Sequence, residues 1–493
     1  MSIQPTAQSI RQAKTVRELI CAIPQHTIGT AAMIVLCYMA ILPPIASLTY
    51  DSNDIFVLNS DAQSFLLSST FPYGDHWYRL ESTVIILSFL FIAYATAKLY
   101  YTLQDSRQAL TSWLFEHKPI LFFGLLFRWA VVSFCLSSHH FRSFFGTGYR
   151  HDGLLTYMFY IGLFCMAVQL DRPQMRTVLE FFIAAGAFLG IFCVFPTSPL
   201  ANLFYLHEEG YKLSIFLQRT HYGYYLSMCL PAGFLLLVTD DFSSYSKPRC
   251  VVLHILRGVE FWLLVNSLMF NATRAAIVAV AVFLVAMNGY TFFGHRDNIK
   301  AMLLADVIVL ATMTVLNTGN NLLIRTTAST SYAQELHEAY TEAQQTSNNT
   351  EQLAEAANRL TSSRYSMWKC GIKYALQKPL FGWGPDNLGE LYYADDLTYT
   401  DRPHNEFIQI AAMLGFPALM FYLCGLFSWF HVVVKWSRRL DLFSLGLAMV
   451  AVSYIVNSIF SNSMFYTTPY FYMLLGFSYK YIRRGPSYGK QYA

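Results

Sequence analysis

The chain has 493 residues, 55% of them hydrophobic and only 13% charged, with a formal net charge of +4. That charge content is about half of what a soluble domain carries, and so small and dispersed a positive excess leaves no footprint for nucleic acid. Nine cysteines, most of them inside apolar segments and none forming a Cys-x-x-Cys pair, indicate neither a disulfide framework nor a metal site.

Residues 1–27 are polar and read as a cytoplasmic segment rather than a cleaved signal peptide, because the first apolar run is already of full span length. Apolar runs follow near 28–48, 82–102, 118–138, 153–170, 177–198, 221–239, 258–273, 275–291, 300–318, 404–428, 441–462 and 469–482. Runs of about 20 apolar residues can cross a hydrocarbon core of ~30 Å. The expected architecture is therefore an all-α integral membrane protein of about twelve transmembrane helices, nine in 28–318 and three in 404–482, with a tail at 483–493. Loops on the N-terminal side hold Arg172, Arg176, Lys247, Arg257, Lys435 and Arg438, and the tail adds Arg483 and Arg484. By the positive-inside rule both termini are cytoplasmic.

Three sizeable pieces fall on the other side, at 49–81, 199–220 and 319–403. The last is the largest, and its middle, 331–360, is rich in Ala, Glu and Gln and predicts a solvated helix. Thr361–Ser363 suits the cap of a second helix with Arg364, Trp368 and Ile372 on one face. Lys378-Pro379 and Gly382-Trp383-Gly384-Pro385 stop it.

The same outer side gathers a minority of cations: Arg150, Arg219, Arg274, Arg364 and Arg402, with His404 following. Such a face suits an anion. Arg274 lies between two apolar runs with almost no loop, so it either faces a cavity and a partner or snorkels to headgroups. Arg219 and His221 open a span together with several hydroxyls and Gly223, as a site wall or as an interface marker. Arg150 binds an anion or simply pairs with Asp152. Pro403 suits a helix start, placing His404 and Asn405 in a first helical turn. A helix N-terminus disfavours a protonated imidazole, so a neutral His404 there is a candidate general base. A lone histidine at a helix start is more often structural; the surrounding arginines favour the catalytic reading.

As an ordered set, these motifs over about residues 120–480 resemble the superfamily of O-antigen ligases and O-antigen polymerases. Arg150-His151-Asp152-Gly153-Leu154-Leu155-Thr156-Tyr157 is similar to its Arg-x-acidic-Gly-Leu-Leu-Thr-Tyr span start. His221-Tyr222-Gly223-Tyr224-Tyr225-Leu226 resembles its Asn-His-Tyr-Gly-Tyr-Tyr-Leu element, with Thr220 in place of Asn. Asn271–Ala276 resembles Thr-x-Ser-Arg-Gly/Ala, and Arg364, Trp368 and Pro379–Asn387 resemble its outer-loop stretch. His404-Asn405 with Gly415 resembles the ligase signature, although Ala418 departs from its last position.

The resemblance implies a GT-C-like membrane glycosyltransferase that moves a glycan from undecaprenyl pyrophosphate to an acceptor hydroxyl outside the bacterial cytoplasmic membrane, without metal or other cofactor. The donor, a lipid, wall-polymer or protein acceptor, and membrane lipids would be its partners. Carried onto this chain, His404 is the general base, and Arg274 and Arg364 stabilise the leaving pyrophosphate, with Arg219 and Arg150 next. His221, Arg402, Asn405, Trp383 and Asn387 are candidate substrate contacts, Trp383 being equally a loop anchor. Glu406 would orient His404 or bind sugar hydroxyls. The His-Asn pair favours a ligase over a repeat-unit polymerase with the same chemistry. A transporter or flippase is the reading from another class, but transporters usually show internal repeats and broken spans, and neither stands out here.

Overall fold

The computed structural model describes residues 14–50, 72–148, 150–195, 199–204, 207–209, 212–216, 218–318, 364–395, 397 and 400–484. The helix expected at 331–360, its neighbour's cap at 361–363 and most of the segment at 49–81 lie outside these residues. In chain order the helices are α1 Val16–Ala22, α2 Gln25–Thr49, α3 Pro72–Ser106, α4 Leu110–Glu116, α5 Lys118–Cys135, α6 His140–Phe145, α7 Leu154–Ala167 and α8 Arg172–Val194. A two-stranded antiparallel ribbon, β1 His207–Glu209 with β2 Lys212–Ser214, separates them from the second half. There follow α9 Arg219–Thr239, α10 Lys247–Asn271, α11 Arg274–Gly294, α12 Ile299–Thr318, α13 Arg364–Gln377, α14 Gly389–Ala394, α15 Glu406–Leu414, α16 Phe416–Trp436, α17 Leu442–Ser458 and α18 Thr468–Arg484.

Nine helices among the described residues are long and apolar enough to cross a membrane, and α7 and α17 are shorter apolar helices at two further expected spans. The chain thus has the build of an all-α integral membrane protein. Its centre is α9, in which every residue from His221 to Val238 is buried. It packs against α10, α11 and α17. A helix apolar all round can only be satisfied by such enclosure. Small residues let the neighbours close in: a Cβ on Gly186 of α8 would come within 2.4 Å of Cys229 Sγ on α9.

One end of the bundle is tied by charge. Asp240, just past α9, accepts from Arg176 of α8 at 2.5 Å and from Arg257 of α10 at 2.8 Å. Arg257 also reaches Glu180 at 2.9 Å, and the Arg172 and Arg176 guanidiniums lie over the Phe443 ring. These are the cations that the sequence assigns to the inner loops.

At the other end the chain departs from the expected span at 404–428. Gly415 breaks it into α15 and α16, with φ at +89°. The Pro379–Gly384 segment lies across the break: Trp383 N donates to Ala412 O at 3.1 Å, Gly384 N to Met413 O at 2.8 Å and Phe416 N to Pro379 O at 2.8 Å. Trp129 Nε1 of α5 bonds the carbonyls of Leu380 and Leu414 at 3.0 and 3.1 Å. The Gly-Trp-Gly run therefore staples a broken helix. α13 ends at Gln377, directly before Lys378-Pro379, as expected, but it buries Met367, Gly371, Tyr374 and Ala375 and leaves Ile372 exposed. Gly371 decides the buried face, since a Cβ there would meet Ile408 of α15 at 2.7 Å.

An added Cβ at Gly415 would lie 2.1 Å from Leu380 O, at a backbone angle that favours glycine. Gly415→Ala is expected to cost about 1–3 kcal/mol and lower the thermal unfolding midpoint in detergent. Gly289→Ala, in open space on α11, should leave that midpoint unchanged or raise it.

Candidate active site

The outer end is organised around a buried guanidinium. Arg402, 1% exposed, donates from Nη1 to Asp152 at 2.7 Å, from Nη2 to Asp386 and from Nε to Asp401 at 3.3 Å. Asp401 in turn takes a bidentate pair from Arg150, Nε to Oδ2 at 2.8 Å and Nη2 to Oδ1 at 2.6 Å. Three carboxylates thus face two guanidiniums. The Asp401 carboxyl, buried but flanked by Arg150 and Arg402, is held well below the usual range. At Asp152 burial outweighs Arg402, and with the nearby Asp386 charge it pushes the carboxyl up to about 6. Asp152 does not pair with Arg150, because the bidentate site on Arg150 is taken by Asp401.

The cluster reaches several elements. Asp386 accepts from Thr147 N at 2.6 Å, Asp152 accepts from Gln409 Nε2 of α15 at 2.7 Å, and Ser463 Oγ donates to Asp152 at 3.2 Å. It sets the backbone on either side of His404. Here the structure corrects the expected helix start: α15 begins at Glu406, and Asn405 is its N-cap, accepting from Ile408 N at 3.0 Å. Pro403 and His404 precede the helix, and His404 sits at φ +51°, sparsely populated for a non-glycine residue.

His404 lines a small cleft with Thr220, His221, Tyr224, Ser461, Asn462 and Met464. Its side chain is half-buried. Loss of solvation, then the nearby Arg150 and Arg364 charges, hold its imidazole down to about 3. It is a neutral imidazole across the physiological range.

Of the other expected residues, His221 shares this lining. Only Ala272 and Thr273 separate α10 from α11, so Arg274 occupies the first position of α11, exposed. Asn271 Nδ2 donates to Arg219 O at 2.8 Å, and a Cβ on Gly223 would meet Thr273 Cβ at 2.6 Å. That close approach docks the Arg274 turn on the start of α9, beside Arg219 and His221. Arg364, at the start of α13, is near enough to depress His404. Trp383 has the contacts of a loop anchor: its Nε1 donates to Tyr374 O at 3.1 Å and Lys378 Nζ lies 4.0 Å from its ring centroid. Asn387 donates to Ser143 Oγ at 2.6 Å and to Trp383 O at 3.1 Å.

Glu406 neither bonds His404 nor lines the cleft. Its carboxylate accepts from Tyr224, Tyr422 and Tyr454 at 3.1, 2.8 and 2.8 Å. The loop between α17 and α18, which contributes Ser461 and Asn462, was not anticipated. Its signal in the sequence is a Ser461-Asn462-Ser463 run at the outer end of an apolar span.

Residues 260–423 match the O-antigen ligase family model. The match takes in Arg274, Arg364, Arg402 and His404, and it supports the O-antigen ligase and polymerase superfamily for this chain. No curated protein matches the chain. An O-antigen ligase-like enzyme transfers glycans, and membrane helices with a half-buried, hydrogen-bonding cleft at one end suit that class.

Removing Arg402 leaves buried carboxylates uncompensated, so Arg402→Met should lose about 3–5 kcal/mol and fail to accumulate as folded protein. Asp152→Asn should be tolerated, since acids outnumber guanidiniums in the cluster. Native Asp152 keeps its proton up to a pH of about 6, whereas the unfolded carboxyl releases it near ~4. Its contribution to stability therefore falls as pH rises from about 4 to 6. The wild-type midpoint minus that of Asp152→Asn should fall over the same window.

Proposed function

We propose that the cleft at His404 is where a glycan is transferred from undecaprenyl pyrophosphate to an acceptor hydroxyl, as in an O-antigen ligase. The carrying observation is a neutral, half-buried imidazole in a hydrogen-bonding cleft, with Arg364 close by. In this reading the protein lies in a bacterial cytoplasmic membrane, crosses it about twelve times with both termini inside, and holds the cleft on the outer side. The segment 319–403 is the extracytoplasmic loop, between membrane parts at 28–318 and 404–482.

The acceptor oxygen attacks the anomeric carbon, and the new bond forms as the carbon–oxygen bond to pyrophosphate breaks. The hydroxyl proton passes to His404, and the electron pair of the broken bond leaves on undecaprenyl pyrophosphate. Attack from the opposite face inverts the anomeric centre. Arg274 and Arg364 receive the developing charge, since planar guanidiniums bind phosphate oxygens in pairs. Arg219 and His221 line the approach. Arg150 and Arg402, bound to carboxylates, position the loop that bears His404, with Asn405 as the cap of its helix. Trp383 and Asn387 hold the outer loop in place.

A base at about 3 is weak, and efficiency rises as its basicity approaches the working pH. The donor's pyrophosphate offsets the cationic field on His404 and so raises its basicity when bound. The ionisation read from kcat should therefore lie above that read from kcat/KM.

In proteoliposomes with a defined undecaprenyl-pyrophosphate oligosaccharide, His404→Ala should lose about 10²–10⁴-fold in rate while staying folded. Arg274→Lys should lose about tenfold or more, because a point charge cannot make paired contacts. Near-normal rates in both would overturn the mechanism. A ladder of longer lipid-linked chains without added acceptor identifies a polymerase; transfer only to added envelope lipid or protein identifies a ligase.

A further inference from the structure

The loop between α17 and α18 is buried throughout, from Ser461 to Thr467, although it is rich in polar groups. Its backbone is held in place. Ser463 N donates to Gln409 Oε1 at 3.1 Å, Met464 N to Thr468 Oγ1 at 2.9 Å, and Ser461 Oγ to Asn457 Oδ1 at 3.3 Å. Asn457 is itself fixed by Ser227 of α9 at 3.1 Å. Into the same cleft as His404 this rigid loop presents Asn462, which is 5% exposed.

Among the described residues, Asn462 Oδ1 has no hydrogen-bond partner, and neither does Nδ1 of His221, a cleft-lining residue that is also 5% exposed. Buried polar atoms are nearly always satisfied, so two unsatisfied ones lining one cleft point to a ligand that completes them. The polar members of the cleft lining are hydroxyls, an amide and imidazoles. That inventory suits vicinal hydroxyls, each of which can donate one hydrogen bond and accept another.

We propose that Asn462 and His221 form the subsite for the acceptor saccharide, Asn462 Oδ1 accepting from a hydroxyl that neighbours the one deprotonated by His404. This rests on the transfer reaction proposed above and adds the group that orients its nucleophile. Donor sugars carry the same hydroxyl chemistry; the cleft is assigned to the acceptor because its lining includes the proposed base but none of the arginines.

The test is two-substrate kinetics on full-length protein in proteoliposomes. The donor is undecaprenyl-pyrophosphate oligosaccharide, and the acceptor is extracted envelope lipid, or the lipid-linked glycan itself where the wild type makes a ladder. Asn462→Ala should raise KM for the acceptor at least about tenfold and leave KM for the donor within about twofold. Asn462→Asp keeps an accepting oxygen and should recover most of that loss. Thermal midpoints confirm folding, and Asn462→Ser replaces the alanine variant if that one does not fold. A raised donor KM, equal losses in the alanine and aspartate variants, or no change in either would overturn the subsite. A wild type that transfers nothing to any acceptor overturns the transferase reading itself.

Discussion

Everything at the outer end of this protein depends on Arg402. One buried guanidinium joins Asp152 at the start of α7, Asp386 in the outer segment and its neighbour Asp401, through which Arg150 is added. A lone buried charge is costly, so the carboxylates depend on the two guanidiniums that compensate them. By holding Gln409 and Ser463 through Asp152, it fixes the helix that follows His404 and the loop that bears Asn462. A single electrostatic knot thus sets two walls of the cleft.

Around that knot the backbone adopts conformations that ordinary residues avoid. His151, Ala272, Asp386 and His404 all have positive φ. Each lies at an outer-end turn, next to a charged or hydrogen-bonding contact that overrides the local preference. Strain of this kind persists only where its surroundings determine it, and it is concentrated at functional sites. Among the described residues the opposite end has one such position, Arg107, and its helix starts at α8 and α17 are capped by Asp171 and Asp441.

Much of this was legible before the fold was known, for local reasons. Apolar runs of span length mark helices by themselves, and loop charge separates the two ends. His404, Arg274 and Arg364 were visible because they interrupt apolar or turn sequence with polar chemistry. What sequence could not show was pairing over distance. Arg402 and Asp152 are 250 residues apart, and nothing near either one says that the guanidinium is held by carboxylates. The break at Gly415 was hidden because the apolar pattern runs through it, and only the stapling Pro379–Gly384 segment explains it. Asn462 was overlooked since a short polar run at a span end looks like any interface.

The central claim is that the donor's anomeric carbon is presented to His404 with its pyrophosphate held by Arg274 and Arg364. The most direct measurement is a cryo-EM structure of the protein in nanodiscs with an undecaprenyl-pyrophosphate oligosaccharide bound. The account predicts pyrophosphate density against Arg274 and Arg364, with the first sugar directed at His404 and the Arg402 cluster unchanged. Pyrophosphate bound at the Arg176–Asp240–Arg257 end, or a donor whose anomeric carbon lies away from His404, would contradict it.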